Sequence, residues 1–450
     1  MTYTHETIVA LQRSSPAQAE FYQSVEGVLD SLQAVLETEE KYRRHAIIER
    51  IVEPERQIMF RVPWMSDHGT IHVNKGYRIE FNSALGPYKG GLRFHPGINA
   101  SIVKFLGFEQ TFKNALTGLP IGGGKGGANF DPKGRSDGEI MRFCQSFMNE
   151  MYRHIGPNTD VPAGDIGVGE REIGYLFGQY KRLTGRYEGV FTGKGLLWGG
   201  SLVRKEATGY GCVYFAQEML ADKSLALAGR DCLVSGSGNV AIYVIEKLYQ
   251  CGARPITCSD STGTIHDPDG IRLETLKVLK EVQKVGLKEY VRHHAGARFI
   301  PLGDYPEDGH AVWRIPGDLA FPCATQNELT RTDAEALVNN GCIAVSEGAN
   351  MPSTPDAVDL LLDAKTLYGP GKAANAGGVA TSQFEMAQNA SMQRWTFEQV
   401  DTQLKAIMAD IYVRARDTAL KYDAPDNLVL GANVAGFIRV ADAMIEQGVV

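Results

Sequence analysis

Apolar positions along the chain repeat with two different periods, and the switches between them outline an alternating α/β protein. Phe21, Val25, Val28, Leu29, Leu32, Val35 and Leu36 recur at helical spacing. Ser15, Pro16, Ala17 and Gln18 ahead of them read as a capping box with proline at the first helical position. Period two follows: Ile58, Phe60, Val62 and Trp64 share one face of a strand, and Tyr77, Ile79 and Phe81 share one face of another. Asp67, His68 and Gly69 between them are a turn signal, so the opening sheet is predicted as a meander. Ile102, Val103, Phe105, Leu106, Phe108 and Phe112 surround a helix on most sides, which predicts a buried one. Ser136 and Glu139 form a second capping box ahead of Ile140, Phe143, Cys144, Phe147, Met148 and Met151, an amphipathic core helix.

The texture changes near residue 200. A helix is predicted over 206–220, then a buried strand over 232–235, a helix over 242–249 and a second strand over 256–259. Strands ending near 323 and 347 alternate with a helix over 333–340. The loop 347–352 follows a strand, where a doubly wound sheet borders its ligand. Residues 375–380 are a glycine-rich entry to a helix carrying Ala380, Phe384 and Ala387 on one stripe, with Ser382 on another side. A last helix over 432–444 is expected to pack back on the first domain.

Three polar interruptions break this pattern, and all three read as loops. Residues 122–127 are five glycines around Lys125. A phosphate-binding P-loop needs G-x-x-x-x-G-K-[ST]; here Leu119 stands six before Lys125 and Gly126 follows it, so that reading fails twice. The stretch is either a turn with a solvated lysine or a loop gripping a small anion or carbonyl. Residues 86–96 hold Lys89 between glycines, again a hairpin loop or a site of close approach. Asp165, between Gly164 and Ile166, either caps its own loop or serves as an acid/base group. Gln110 and Lys113 lie three apart, hence on one helix face. A lysine on a buried helix is costly unless paired or facing a ligand, which favours a functional Lys113.

The second half carries a sharper signal. Gly236-Ser237-Gly238-Asn239-Val240-Ala241 is G-x-G-x-x-A between a strand and a helix, the dinucleotide-binding context. The first glycine makes the turn, the second admits a pyrophosphate, and Ala241 allows close helix–strand packing. Asp260 ends the next strand 24 residues after Gly236, where a group meeting the adenosine ribose is expected.

Composition narrows the class. Hydrophobic residues make up 43% of 450, and two or three domains with ample core are expected. The net charge is −7 with no basic block, which argues against nucleic acid. Seven scattered cysteines without a CxxC fit a reducing cytoplasm and neither a disulfide framework nor a zinc site. No apolar signal region or run of 18 apolar residues is present, so no membrane segment is expected.

With these pieces placed, the chain resembles the small hexameric glutamate dehydrogenases of bacteria and fungi nearly end to end. The resemblance rests on GlyProTyrLysGlyGlyLeuArgPheHisPro (86–96), LysPheLeuGlyPheGluGlnThrPheLysAsn (104–114), GlyGlyGlyLysGlyGly (122–127), ValProAlaGlyAspIleGlyValGly (161–169), ProCysAlaThrGlnAsnGlu (322–328) and AsnAlaGlyGlyValAlaThrSer (375–382). It implies an α/β fold in two domains with a cleft between them. A substrate-binding and oligomerisation domain would span 1–200, a Rossmann-like domain 201–424, and a C-terminal helix, 425–450, would return to the first. The implied reaction is reversible oxidative deamination of L-glutamate to 2-oxoglutarate and ammonium by a cytoplasmic homohexamer. Lys89 and Ser382 would hold the side-chain carboxylate, Lys113 and Gln110 the α-carboxylate, and Gly164 a backbone contact. Lys125, its pKa lowered by burial and clustered lysines, would activate water, and Asp165 would shuttle the amino-group proton. Gly236, Gly238, Val240, Thr208 and Asn239 would contact the cofactor. Asp260 alone favours NAD, whereas Ser235, Ser259 to Ser261, His95 and the residues 369–374 resemble NADP-dependent members, with Ser261 and Lys284 as phosphate contacts. NADP is the favoured cofactor. Two departures stand out: Lys205 where relatives usually have proline, and Pro255 at the start of the second strand. A dehydrogenase of branched or aromatic amino acids and a non-catalytic dinucleotide-binding regulator are the alternatives.

Overall fold

The computed structural model describes residues 3–14 and 18–450. The capping box expected ahead of the second helix rests on Ser15, Pro16 and Ala17, which lie outside the described residues. The chain forms two compact units: the described residues of Met1–Leu202 with Val379–Val400 and Asn433–Val450, and Val203–Gly378 with Asp401–Ala432. This division groups 379–400 with the first unit and 401–432 with the second, unlike the single block from 201 to 424 drawn from the sequence. The reason is local. Glu385 pairs with Lys194, and Asn389 donates to the Gly199 carbonyl, whereas Asp401 accepts from Tyr214 and pairs with Lys247.

The first unit is built on a five-stranded sheet: β1 (Arg56–Met65), β2 (Ile71–Asn82), β3 (Tyr88–Phe94), β4 (Gly123–Ala128) and β5 (Asp160–Gly164), in the order β1-β2-β4-β3-β5. β1 and β2 form the expected antiparallel hairpin. The rest corrects the meander, because β3 pairs parallel with both β4 and β5. It also corrects two of the three loop readings, while Asp165 does sit in a turn. The stretches around Lys89 and Lys125 are interior strands, and Asp165 directly follows the strand β5. Their glycines hid the strand signal, since no side-chain alternation remains to be read.

Helices cover both faces of this sheet. Ala100–Leu116 packs over β2 and β4, and Phe108 meets Phe21 of Ala19–Ser31 and Phe81 of β2 at ring separations of 5.9 and 5.7 Å. On the other side Asp137–Met151 starts with the expected capping box of Ser136 and Glu139. Its Phe143 stacks on Phe130 at 3.8 Å within a core that includes Leu92, Phe94, Phe147 and Leu176. Each such side chain contributes roughly 2 kcal/mol by leaving water. Helix Glu170–Thr184 completes this layer. Leu428–Glu446 is long and apolar enough to cross a membrane by length and composition. Its Val434, Phe437, Val440 and Ala441 are buried, and Arg439 caps the Ala115 and Gly118 carbonyls, so within the first unit it acts as a core helix.

The second unit holds a parallel sheet. β6 (Asp231–Val234), β7 (Arg254–Pro255), β11 (Leu319–Phe321), β12 (Ala344–Ser346) and β13 (Leu367–Gly369) lie in the order β13-β12-β11-β6-β7. The expected second strand is present, shifted by one residue, but outside that sheet. After Pro255 the chain leaves that sheet, and β8 (Thr257–Asp260) pairs antiparallel with β9 (Gly263–His266), which in turn pairs with β10 (Arg298–Pro301). Thr257 Oγ1 takes over part of the ladder, accepting from Val234 N at 2.8 Å and donating to Val234 O at 3.0 Å.

Candidate active site

In the first unit, β3 and β4 bring two buried lysines onto neighbouring strands. Lys89 is 2% exposed and Lys125 7%. Lys89 Nζ donates to Thr192 Oγ1 at 2.8 Å. Thr192 leads into Gly193 and Lys194, whose backbone N–H groups donate to the Glu385 carboxylate at 2.9 and 3.2 Å. Lys194 Nζ closes the same contact at 2.8 Å, with both side chains buried. Glu385 lies one turn after Ser382 on helix Gly377–Ser391, so Ser382, itself buried, shares a helix face with the carboxylate that fixes this segment.

Lys125 Nζ lies 2.9 Å from Asp165 Oδ2, and Arg93 Nε donates to the same oxygen at 3.0 Å. Burial would raise the Asp165 carboxyl, but the charges of Lys125 and then Arg93 outweigh it and hold the group at about 2. The cationic crowding expected around Lys125 is thus answered by a carboxylate at contact distance. Gly91 leaves the room: a Cβ there would sit 2.8 Å from Asp165 Cβ and 3.3 Å from Lys125 Nζ. Gly164 ends β5, and its own Cβ would meet the Val168 carbonyl at 2.4 Å.

Gln110 and Lys113 sit half-buried on Ala100–Leu116 as the spacing predicted. Gln110 Nε2 donates to Asn114 Oδ1 at 2.7 Å, and Asn114 Nδ2 donates to the Lys89 carbonyl at 3.0 Å. The helix is therefore tied to the strand that carries Lys89. Beneath the strands, Arg78 and Asp160 form a fully buried pair, with Arg78 Nε donating to Asp160 Oδ2 at 2.7 Å and Nη1 to the Gly90 carbonyl at 3.2 Å. Breaking such a pair costs about 3 to 5 kcal/mol, since one charge is left buried alone. Glu80, opposite Gly124 in the register, is ion-paired with Arg56 at 2.7 Å yet accepts no hydrogen bond. Burial, with the Asp160 charge adding to it, pushes its carboxyl up to about 7.

In the second unit, β6 runs into a turn at Gly236, with φ of 82°, and helix Asn239–Gln250 begins behind Gly238. Gly236 N donates to Ser259 Oγ at 2.8 Å, and Cys323 N donates to Ser235 Oγ at 2.8 Å. A Cβ on Gly238 would meet nothing within 4 Å, and Gly238 and Asn239 are exposed. Val240 is half-buried, and Ala241 is fully buried. Asn239 Nδ2 donates to the Lys205 carbonyl, and Thr208 is half-buried on helix Ala207–Asp222, beside Gly378. This open helix N-terminus with a close-turn glycine fits a pyrophosphate.

Asp260 is already occupied. Thr262 N and Oγ1 donate to Oδ1 at 2.9 and 2.6 Å, and Lys280 Nζ and Leu287 N donate to Oδ2, each at 3.0 Å. Burial opposes its charge, and these donors outweigh it, leaving the carboxyl below its usual range. Ser261 beside it is exposed. Lys284 is exposed too, with φ of 54°; Lys280 is the lysine that reaches Asp260. Sequence reasoning missed Thr192, Arg93, Gly91 and Lys280. Arg93 and Gly91 stood inside a motif read as a loop, and Thr192 and Lys280 carry no local signal.

Known proteins place the chain. Residues 199–448 match the family model for glutamate/leucine/phenylalanine/valine dehydrogenase, and residues 54–182 match that for the Glu/Leu/Phe/Val dehydrogenase dimerisation domain. An NADP-specific glutamate dehydrogenase of Helicobacter pylori is 60% identical over 99% of this chain and 100% of its own length. The crystal structure of Plasmodium falciparum glutamate dehydrogenase superposes with a TM-score of 0.95 at 51% identity, covering 99% of this chain and 95% of that one. A hetero-hexameric glutamate dehydrogenase from Thermus thermophilus, in a leucine-bound form, follows the fold at TM-score 0.80 and 26% identity, covering 94% of this chain and 98% of that one. By both domain models and by relatives matched over its whole length, the chain belongs to the glutamate/leucine/phenylalanine/valine dehydrogenase family.

Proposed function

We propose that this protein is an NADP-dependent glutamate dehydrogenase that interconverts L-glutamate with 2-oxoglutarate and ammonium. The observation that carries the reading is the pair of buried lysines on adjacent strands, Lys125 ion-paired with Asp165 and Lys89 hydrogen-bonded to Thr192. A buried ammonium discriminates strongly, because a substrate without a matching carboxylate pays its desolvation and returns nothing. Lys89 and Ser382 take the side-chain carboxylate, Lys113 and Gln110 the α-carboxylate, and Gly164 supplies a backbone contact. Asp165, ionised at neutral pH, accepts the proton from the substrate α-ammonium and returns it to the departing ammonia. Lys125, after giving up its own proton to solvent, takes the proton of the water that attacks the iminium carbon. The nicotinamide, when bound, supplies a hydride acceptor or donor at C4. The turn of Gly236, Gly238, Asn239 and Val240, with Thr208, would hold its dinucleotide.

The four donors on Asp260 leave it poorly placed to take a ribose hydroxyl, which supports the phosphorylated cofactor, with exposed Ser261 and Lys284 as its contacts. Ammonia assimilation in the cytoplasm is the setting this implies, consistent with cysteines that are all free. A homohexamer is the proposed assembly. Met59, Met65, Ile71 and Val73 stand exposed on β1 and β2, at the sheet's edge and within the segment matched to a dimerisation domain.

Initial rates with 2-oxoglutarate and ammonium test the reading, using NADPH and NADH at equal concentration. Strong preference for NADPH is expected. Preference for NADH would return the ribose to Asp260, and turnover of leucine above glutamate would overturn the substrate. Asp165→Asn is expected to lose nearly all turnover, by a factor of about 10³ or more, while NADPH still titrates its fluorescence. Unchanged turnover would remove Asp165 from the chemistry.

A further inference from the structure

We infer that Arg93 is the permanent counter-ion of Asp165 and sets how readily that carboxylate takes a proton during turnover. This positioning role rests on the glutamate dehydrogenase reading above. The pairing is built into the sheet. β3 and β5 are parallel, Leu92 stands opposite Gly164, and Phe94 N donates to the Ile166 carbonyl at 2.9 Å. Backbone bonds on either side therefore hold Arg93 and Asp165 next to each other. Val168 N then donates to the Asp165 carbonyl at 2.8 Å and fixes the turn that follows. The absence of a side chain at Gly91 leaves Asp165 Oδ2 open to both Arg93 and Lys125.

The two cations on that oxygen are chemically unequal. Lys125 gives and takes a proton in the proposed reaction, so its charge comes and goes. A guanidinium does not deprotonate in a protein. With Lys125 alone, the proton affinity of Asp165 would swing with each change at Lys125. With Arg93 on the same oxygen, at least one positive charge faces Asp165 at every stage. The remaining charges near it weaken this little. Lys133, Arg171 and Glu172 line the open depression beside Asp165. Lys133 is exposed, and Arg171 is taken up by Glu172 at 2.8 Å and Asp137 at 2.7 Å.

The test is the pH dependence of kcat/KM for glutamate in full-length Arg93→Met, Arg93→Gln and Arg93→Lys. Removing an opposite charge at contact distance raises a carboxylate by roughly 1 to 3 pH units. The acidic limb of the profile is expected to move to higher pH by that amount in Arg93→Met, and to stay within about half a unit of wild type in Arg93→Lys. NADPH affinity should hold within about twofold, since Arg93 is no part of the dinucleotide turn at Gly236. Arg93→Gln carries the charge test if Arg93→Met does not fold. A folded uncharged variant whose kcat/KM falls evenly at every pH, with the limb in place, overturns the inference, because a merely structural arginine behaves that way. A limb that moves as far in Arg93→Lys as in Arg93→Met overturns it too. Wild type without glutamate turnover would instead remove the underlying reading, so the two failures are distinguishable.

Discussion

A Cβ added to Gly123 would lie 2.0 Å from Thr111 Oγ1, and one added to Gly90 would lie 1.7 Å from the Gly124 carbonyl; at Gly238 it would meet nothing within 4 Å. The glycines around the lysines and those of the dinucleotide turn look alike in the sequence, yet glycine serves different ends in the two units. Around Lys89 and Lys125 it lets the strands and the helix Ala100–Leu116 approach so closely that no further side chain fits between them. At Gly236 it permits a positive φ, and at Gly238 it leaves space for something that is not protein. The first use stores its benefit in packing; the second keeps a surface open. Loss of a methyl-sized gap therefore threatens the fold in one unit and only the ligand in the other.

Gly90→Ala should break the first unit most severely. No side chain can move aside for a clash with a backbone carbonyl, so we expect a loss of about 3 kcal/mol or more, read as aggregation or a greatly lowered Tm. A soluble Gly90→Ala enzyme of wild-type Tm would erase the contrast. Gly238→Ala should fold normally, with stability within about 0.5 kcal/mol of wild type, while the Kd for NADPH rises about tenfold, near 1.4 kcal/mol. Unchanged NADPH affinity in that variant would show that the open turn is not where the pyrophosphate lies.

A smaller, pH-dependent effect should appear beside Gly124. Glu80 sits opposite it with its carboxyl raised from 4.5 to about 7. Between those values the folded protein binds more protons than the unfolded chain, so this group makes stability fall as pH rises from about 4.5 through 7 and adds no further slope above that. Glu80→Gln should flatten the decline in Tm between pH 5 and pH 8, measured on both proteins in the same buffers. An identical slope in the variant would mean that Arg56 compensates the charge fully.

The capped helices and the dinucleotide turn were legible in the sequence because each has a local cause, whereas Glu170–Thr184 and Phe397–Lys421 were not predicted. Ser136 and Glu139 cap a helix within four residues, and Gly236 to Ala241 encode strand, turn and helix in one stretch. The strands β3, β4 and β5 were not legible. Their glycines carry no alternation, and what makes them strands is pairing with neighbours, on both sides for β3 and β4 and on one side for β5. For the same reason the parallel order β4-β3-β5 could not be read from a hydrophobic pattern that only announces where a strand lies.

The site divides the same way. The residue types around Lys89, Gln110, Lys113, Lys125, Asp165 and Ser382, and the G-x-G-x-x-A turn, were determined by the sequence, because each lies in a motif long enough to identify the family. Their partners were decided by tertiary structure alone. Arg93 and Lys125 meet on one oxygen of Asp165, Thr192 meets Lys89, and Lys280 reaches Asp260. Most of these contacts join residues far apart in the chain, and even Lys280 lies 20 positions from Asp260. Charge and hydrogen bonding act through distance in space, which only the folded chain sets.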